Sequence, residues 1–224
     1  MSSLVRMSQI GEIATDWKEI ISSCTADTIF LTPEWQEVWW QEFGQQSETL
    51  LLKFQVEKEM AGIVCLARNN DVISFLGNRD VYDYSDFLVV DGHEDSFYNI
   101  LLDYLEKEAW ERLELFSLPE DSATLKFLVP LARERGYEVT VNQEDVVPGL
   151  HLPTSWDEYL ARLSKKDRHE LRRKMRRLST ETEYNFYKCS SLEDLDNELG
   201  TFFHLMADSQ EAKSRFLTPE RKKF

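Results

Sequence analysis

Apolar positions in the first two-thirds of the chain recur first at helical spacing, then at strand spacing, and then switch between the two. In "IGEIATDWKEIISSC", Ile10, Ile13, Trp17 and Ile20/Ile21 fall on one helix face. "TPEWQEVWWQEFG" puts Trp35, Val38, Trp39 and Phe43 on one stripe, with Gly44 placed to end the helix. "TLLLKFQVE", "EMAGIVCLAR" and "DVISFLGN" are β-type runs joined by short polar turns, and "DFLVVDG" adds another. "EDSFYNILLDYLEKEAW" predicts a helix with Phe97, Leu101, Tyr104 and Leu105 inward, and "RLELFSLP" a strand. "SATLKFLVPLARERG" predicts a further helix, kinked or started late by Pro130. "YEVTVNQ" and "GLHLP" read as closing extended segments. The predicted order is α-α-β-β-β-β-α-β-α-β-β, an α/β fold with a mixed (α+β) sheet.

After Pro153 the texture becomes helical. "TSWDEYLARL" and "SKKDRHELRRKMRRLS" each open on a capping-box pattern, Thr154 to Asp157 and Ser164 to Asp167. "EYNFYKC" predicts a short strand. The stretch "SSLEDLDNELGTFFHLMADS" predicts a helix that buries Leu192, Leu195, Leu199, Phe202/Phe203 and Met206. "FLTPE" at Phe30 to Glu34 occurs again at Phe216 to Glu220. Thr32 and Thr218 suit N-caps, Pro33 and Pro219 the first helical position, and Glu34 and Glu220 the positive end of the dipole. Both copies follow an amphipathic helix, so context repeats with the words, and the repetition predicts a tandem duplication. The expected organisation is a first domain over 1–153, a basic helical bridge over 154–181, and the opening strand and helices of an incomplete second domain over 182–224.

Composition narrows the chemistry. A net charge of −15 argues against general attraction to nucleic acid or anionic lipid. Cys24, Cys65 and Cys189 lie far apart with no CxxC, which predicts reduced thiols and a cytoplasmic setting. His93, His151, His169 and His204 are scattered, and no P-loop, Gly-x-Ser-x-Gly or zinc pattern occurs, so no metal is expected. The Trp35/Trp39/Trp40 cluster reads as core.

Two polar groups remain. "NRDVYDYSDF" gathers Asp80, Tyr82, Asp83, Tyr84 and Asp86 between two β-type runs, either a recognition site for an amine or hydroxylated acceptor or a solvated turn. Arg162 to Arg177 holds nine of the chain's 26 Lys and Arg, among them Lys165, Lys166, Arg168, Arg172 and Arg173. Three readings apply: pairing with the protein's own acids, a clamp for a phosphate-bearing acceptor or cofactor, or nucleic-acid binding. The last lacks interleaved aromatics and meets an acidic background.

The order of elements resembles the GNAT acyltransferase superfamily. The pair of such domains bridged by a basic helix is similar to the FemAB-type peptidyltransferases and CelD-like acetyltransferases. The resemblance rests on "TPEWQEVWWQEFG", "YDYSDFLV", "SWDEYLARLSKKDRHELRRKMRRL" and "FFHLMADSQEAKSRFLT". It implies N-acyl transfer from acyl-CoA (acetyl-CoA), or from aminoacyl-tRNA in the Fem branch, to an amine acceptor. It also implies that Asp83 or Asp86 helps hold that acceptor. In this superfamily CoA is seated at a helix N-terminus behind an Arg/Gln-x-x-Gly-x-Gly/Ala loop. Here the corresponding "VVDGHEDSF" carries Asp91, Glu94 and Asp95, which repel a pyrophosphate. The donor site is therefore expected outside these residues, and the fragment is expected to be inert by itself. The alternative is a non-catalytic α/β module whose basic helix docks an acidic or phosphorylated partner. The C-terminal part is expected to be loosely packed, docked where it can, or paired with another chain.

Overall fold

Strands two and three set the frame, because their alternation is apolar on both faces. The computed structural model describes residues 2–24, 26–44, 47–181 and 183–224. Helix α1 (Ala14–Ile21) and helix α2 (Pro33–Phe43) lie between strand β1 (Ser2–Arg6) and the hairpin of β2 (Glu48–Val56) and β3 (Glu59–Asn69). Strand β4 (Val72–Phe75), strand β5 (Leu88–Val89), helix α3 (Glu94–Leu105) and strand β6 (Arg112–Glu114) follow. The sheet order is β1-β2-β3-β4-β6, with β5 also on β3. All pairs are antiparallel except β4 with β6, which the α3 crossover makes parallel. This is an α/β structure with a mixed sheet.

Along β2, Leu50, Leu52 and Phe54 join one buried cluster with Phe97, Leu101 and Leu105 of α3. Leu51, from the other face, joins a second with Ile13 and Trp17 of the α1 region. Helices thus cover both faces, and the strands read as near-continuous apolar runs rather than as strict alternation. The β2–β3 turn holds Glu57 at φ 53° and Lys58 at φ 77°, the doubly left-handed pair of a two-residue hairpin loop.

Four differences from the sequence reading have physical causes. Strand β1 was not predicted, since "SSLVR" has too few apolar residues to show a period; it forms by pairing with β2 from Ser2↔Val56 to Arg6↔Leu52. Neither 137–143 nor 149–153 forms a strand. Val141, Leu150 and Leu152 are exposed there, so the apparent alternation has no core face to satisfy. The predicted strand "EYNFYKC" is likewise irregular over its described residues, and residue 182, where the second domain was expected to open, lies outside them. The 121–135 segment is a π-helical turn (Thr124–Leu128) leading into α4 (Val129–Glu134), with Pro130 in the first turn of α4.

Backbone contacts divide the chain into two units, Met1–Gln143 with Phe216–Phe224, and Glu144–Arg215. The second unit contains α5 (Trp156–Arg162), α6 (Lys165–Glu181) and α7 (Leu192–Ser209), with α8 (Glu211–Phe216) at its end. Ser155, not Thr154, caps α5, accepting from the Glu158 N–H at 3.2 Å; Ser164 Oγ accepts from the Asp167 N–H at 3.1 Å and donates to the Asp167 carboxylate at 2.7 Å. On α7 the apolar stripe is not buried: Leu192, Leu195, Leu199 and Phe202 are all exposed. Among the described residues no helix is long and apolar enough to cross a membrane.

The last helix, α9 (Pro219–Lys223), belongs with the first unit, where it packs on α2.

Candidate functional site

Strands β4 and β5 lie in line on the same edge of β3. Leu66 to Asn69 of β3 pair with β4, and Gly62 and Ile63 pair with β5, so 76–87 is an excursion from one interrupted strand. That excursion carries the acidic and tyrosyl cluster picked out from the sequence.

Its entry is fixed by Gly77 at φ 143°, where a Cβ would come within 2.9 Å of the Tyr82 ring. The Val81 and Tyr82 N–H groups donate to the Asn78 carbonyl, and the Asp80 N–H to Asn78 Oδ1, which closes a tight polar turn. The Tyr82 ring is buried among Phe30, Trp35 and Trp39, and burial pushes its phenol above the usual range. The Tyr82 hydroxyl and the Trp35 and Trp39 indole N–H groups have no hydrogen-bond partner among the described residues. Tyr84 is half-buried against Phe30, and Asp80 and Asp83 are exposed.

Asp86 turns the other way. It is 6% exposed, and its carboxyl accepts from Ser122 Oγ at 2.6 Å, from the Phe87 N–H at 2.8 Å and from Thr124 Oγ1. Thr124 is shared with the Tyr98 hydroxyl at 3.1 Å. Burial raises the Asp86 pKa, and the hydroxyl and backbone donors only partly offset that. Asp86 therefore ties the excursion to the π-helical turn and does not face solvent. Of the trio expected to hold an acceptor, Asp83 and Tyr84 are on the outer side and Asp86 is not with them. Ser122, Thr124 and Tyr98 were missed, because they lie 36, 38 and 12 positions away from Asp86 and no local pattern connects them.

The α3 N-terminus, where the sequence is expected to repel a pyrophosphate, carries acids in its first turn. Glu94 folds back so that its carboxylate accepts from the Gly92 N–H at 2.8 Å, and Asp95 shares the first turn. A half-open groove of about 380 Å³ beside it is lined by Glu57 and Glu59 from the β2–β3 turn, and by Val90 and His93. Two carboxylates at its edge oppose an anionic ligand.

On α6 the cations separate into two sets. Arg173 makes a fork to Glu170, at 2.9 Å through Nε and 2.8 Å through Nη2; Lys174 adds a contact at 3.8 Å, and Arg177 pairs with Glu181 at 2.7 Å. Lys165, Lys166, Arg168 and Arg172 have no ion-pair partner among the described residues. Self-neutralisation thus accounts for Arg173 but leaves a free cationic group over the first two turns. Among the described residues no group of three or more His, Cys, Asp or Glu is placed to hold a metal ion.

No protein-family model matches the chain, and no curated protein matches it.

Proposed function

We propose that this chain is the acceptor-recognising part of an acyl-CoA-dependent N-acyltransferase of the tandem GNAT type, similar to the FemAB and CelD-like enzymes. One observation carries the reading. The element order, helix pair, antiparallel strands, crossover helix and parallel strand, resembles that of the superfamily, and the strand before the crossover is interrupted by an excursion that leaves Asp80 and Asp83 exposed and Tyr84 half-buried. The reaction is attack of an acceptor amine on an acyl thioester, with catalysis by positioning and by backbone donors at the tetrahedral oxyanion. Within the second unit, Lys165, Lys166, Arg168 and Arg172 bind a phosphate group; within the first, Asp83 and Tyr84 bind an amine. The acyl donor does not bind at the α3 N-terminus, where Glu94 and Asp95 in the first turn repel its pyrophosphate.

A second reading is favoured by the free cations of α6: a non-catalytic module that docks an acidic or phosphorylated partner. The two separate on ligand size and product. A phosphorylated small amine that binds saturably, and is acylated when a donor-binding partner domain is supplied, supports the transferase. Binding of polyanions alone, with no preference for an amine, supports the module.

A further inference from the structure

The helix opened by the second FLTPE packs on the helix opened by the first. Phe224 meets Trp35 edge-on at 5.0 Å and Phe43 at 5.7 Å. Arg221 pairs with Asp80 of the excursion, and Lys223 with Glu42 near the end of α2. Inside each copy the local build is the same. Thr32 and Thr218 both cap, accepting from the N–H three residues on. The phrase's Phe packs against the side chain five residues later: Phe30 on Trp35 at 5.1 Å, and Phe216 under the Arg221 guanidinium at 4.2 Å. A side chain also returns to the same carbonyl, Gln36 to Phe30 O and Arg221 to Phe216 O.

Outside that shared frame the copies differ where they meet. Behind the phrase the first reads Trp35, Gln36 and Glu37, and the second Arg221, Lys222 and Lys223. The first copy brings an aromatic face edged by acids, Glu42 and the neighbouring Asp80. The second brings cations and a terminal ring. Like charges would face each other if either helix met a copy of itself.

We propose that the face formed by α2 and the 76–87 excursion is a docking surface selective for the second FLTPE helix of the same chain. Complementary charges at Arg221 to Lys223 then favour the pairing of first copy with second over the pairing of like copies. This does not depend on the acyltransferase reading, and the segment is held to the first unit by this contact.

Hydrogen exchange on the full chain tests it, read at the Lys222 and Phe224 amides, which bond to Thr218 O and Glu220 O. Arg221→Asp, Asp80→Arg and Phe224→Ala should each speed exchange there by about tenfold or more, with β2 and β3 unchanged. The exchange of charges, Arg221→Asp with Asp80→Arg, should restore protection. Writing the first copy's residues into the second (Arg221→Trp, Lys222→Gln, Lys223→Glu) should release the helix. Unchanged protection in Arg221→Asp and Phe224→Ala overturns the docking surface. A helix that stays docked with the first copy's residues overturns the selectivity. Protection that falls on dilution, with a dimer by light scattering, shows the occupant to be another chain's helix and overturns docking within one chain.

Discussion

The Phe224 ring stands edge-on to Trp35, with planes at 90°, so the last residue of the chain rests on the first turn of α2. The sequence reading allowed the C-terminal part to be loose, docked or paired with another chain. Residues 216–224 are docked within the first unit, while the apolar stripe of α7 stays exposed in the second. Apolar residues of the same stretch thus have different fates, and Phe224 is flanked by Arg221 and Lys223, which pair with Asp80 and Glu42.

Asp86 gives the first prediction. Asp86→Ala leaves the Ser122 and Thr124 hydroxyls and the Phe87 N–H without their shared acceptor in a buried place, and should cost about 2–4 kcal/mol in urea unfolding. Asp86→Asn, which keeps an acceptor oxygen, should cost clearly less. Equal costs would mean that the carboxyl serves only as filler.

The same residue sets a pH dependence. Its pKa is raised in the folded protein, so the folded state holds the proton more tightly than the unfolded chain, where Asp titrates near ~3.9. The stability this gives is fully present below the unfolded value and is lost as pH rises through the folded pKa. Unfolding free energies measured from acid to neutral pH should show this fall, and Asp86→Asn should flatten that component. A component of opposite slope removed by Asp86→Asn would contradict the assignment.

How much of this was legible in the sequence depends on the range of the interaction. Helix starts at Thr32, Ser164 and Thr218 were legible because a cap is decided within four residues. The runs of β2 to β5 were legible because they are apolar on both faces. The inward turn of Asp86 was not, since Phe87, Leu88 and Val89 are all buried and give no parity from which to assign its side. Nor was the interruption of β4 and β5, which shows only when both are seen on β3. The run of cations on α6 was legible as charge. Its division into Arg173, held by Glu170, and the free Lys165, Lys166, Arg168 and Arg172 needed the side-chain geometry.

Gly77 should be intolerant. Gly77→Ala meets both a left-handed φ of 143° and the Tyr82 ring at 2.9 Å, and should lose about 1–3 kcal/mol in urea unfolding. A change below about 0.5 kcal/mol would show that the excursion shifts freely.

Thiol reactivity should follow burial. Cys24 is buried and its thiol is pushed up to about 12; Cys65 is half-exposed like Cys189, but desolvation raises its thiol too. Iodoacetamide on the native protein at about pH 8 should label Cys189 first, with Cys24 and Cys65 following only on unfolding. Early labelling of Cys65 would contradict the packing of β3.

The most direct test of the acceptor-binding account is calorimetric titration of the chain with glucosamine 6-phosphate, an amine and a phosphate in one small molecule. The account predicts saturable binding that weakens as salt rises from about 50 to 300 mM. It further predicts that binding is lost in Arg168→Ala with Arg172→Ala, which removes two of the unpaired cations of α6. No saturable heat, or binding that this variant leaves unchanged, would contradict it.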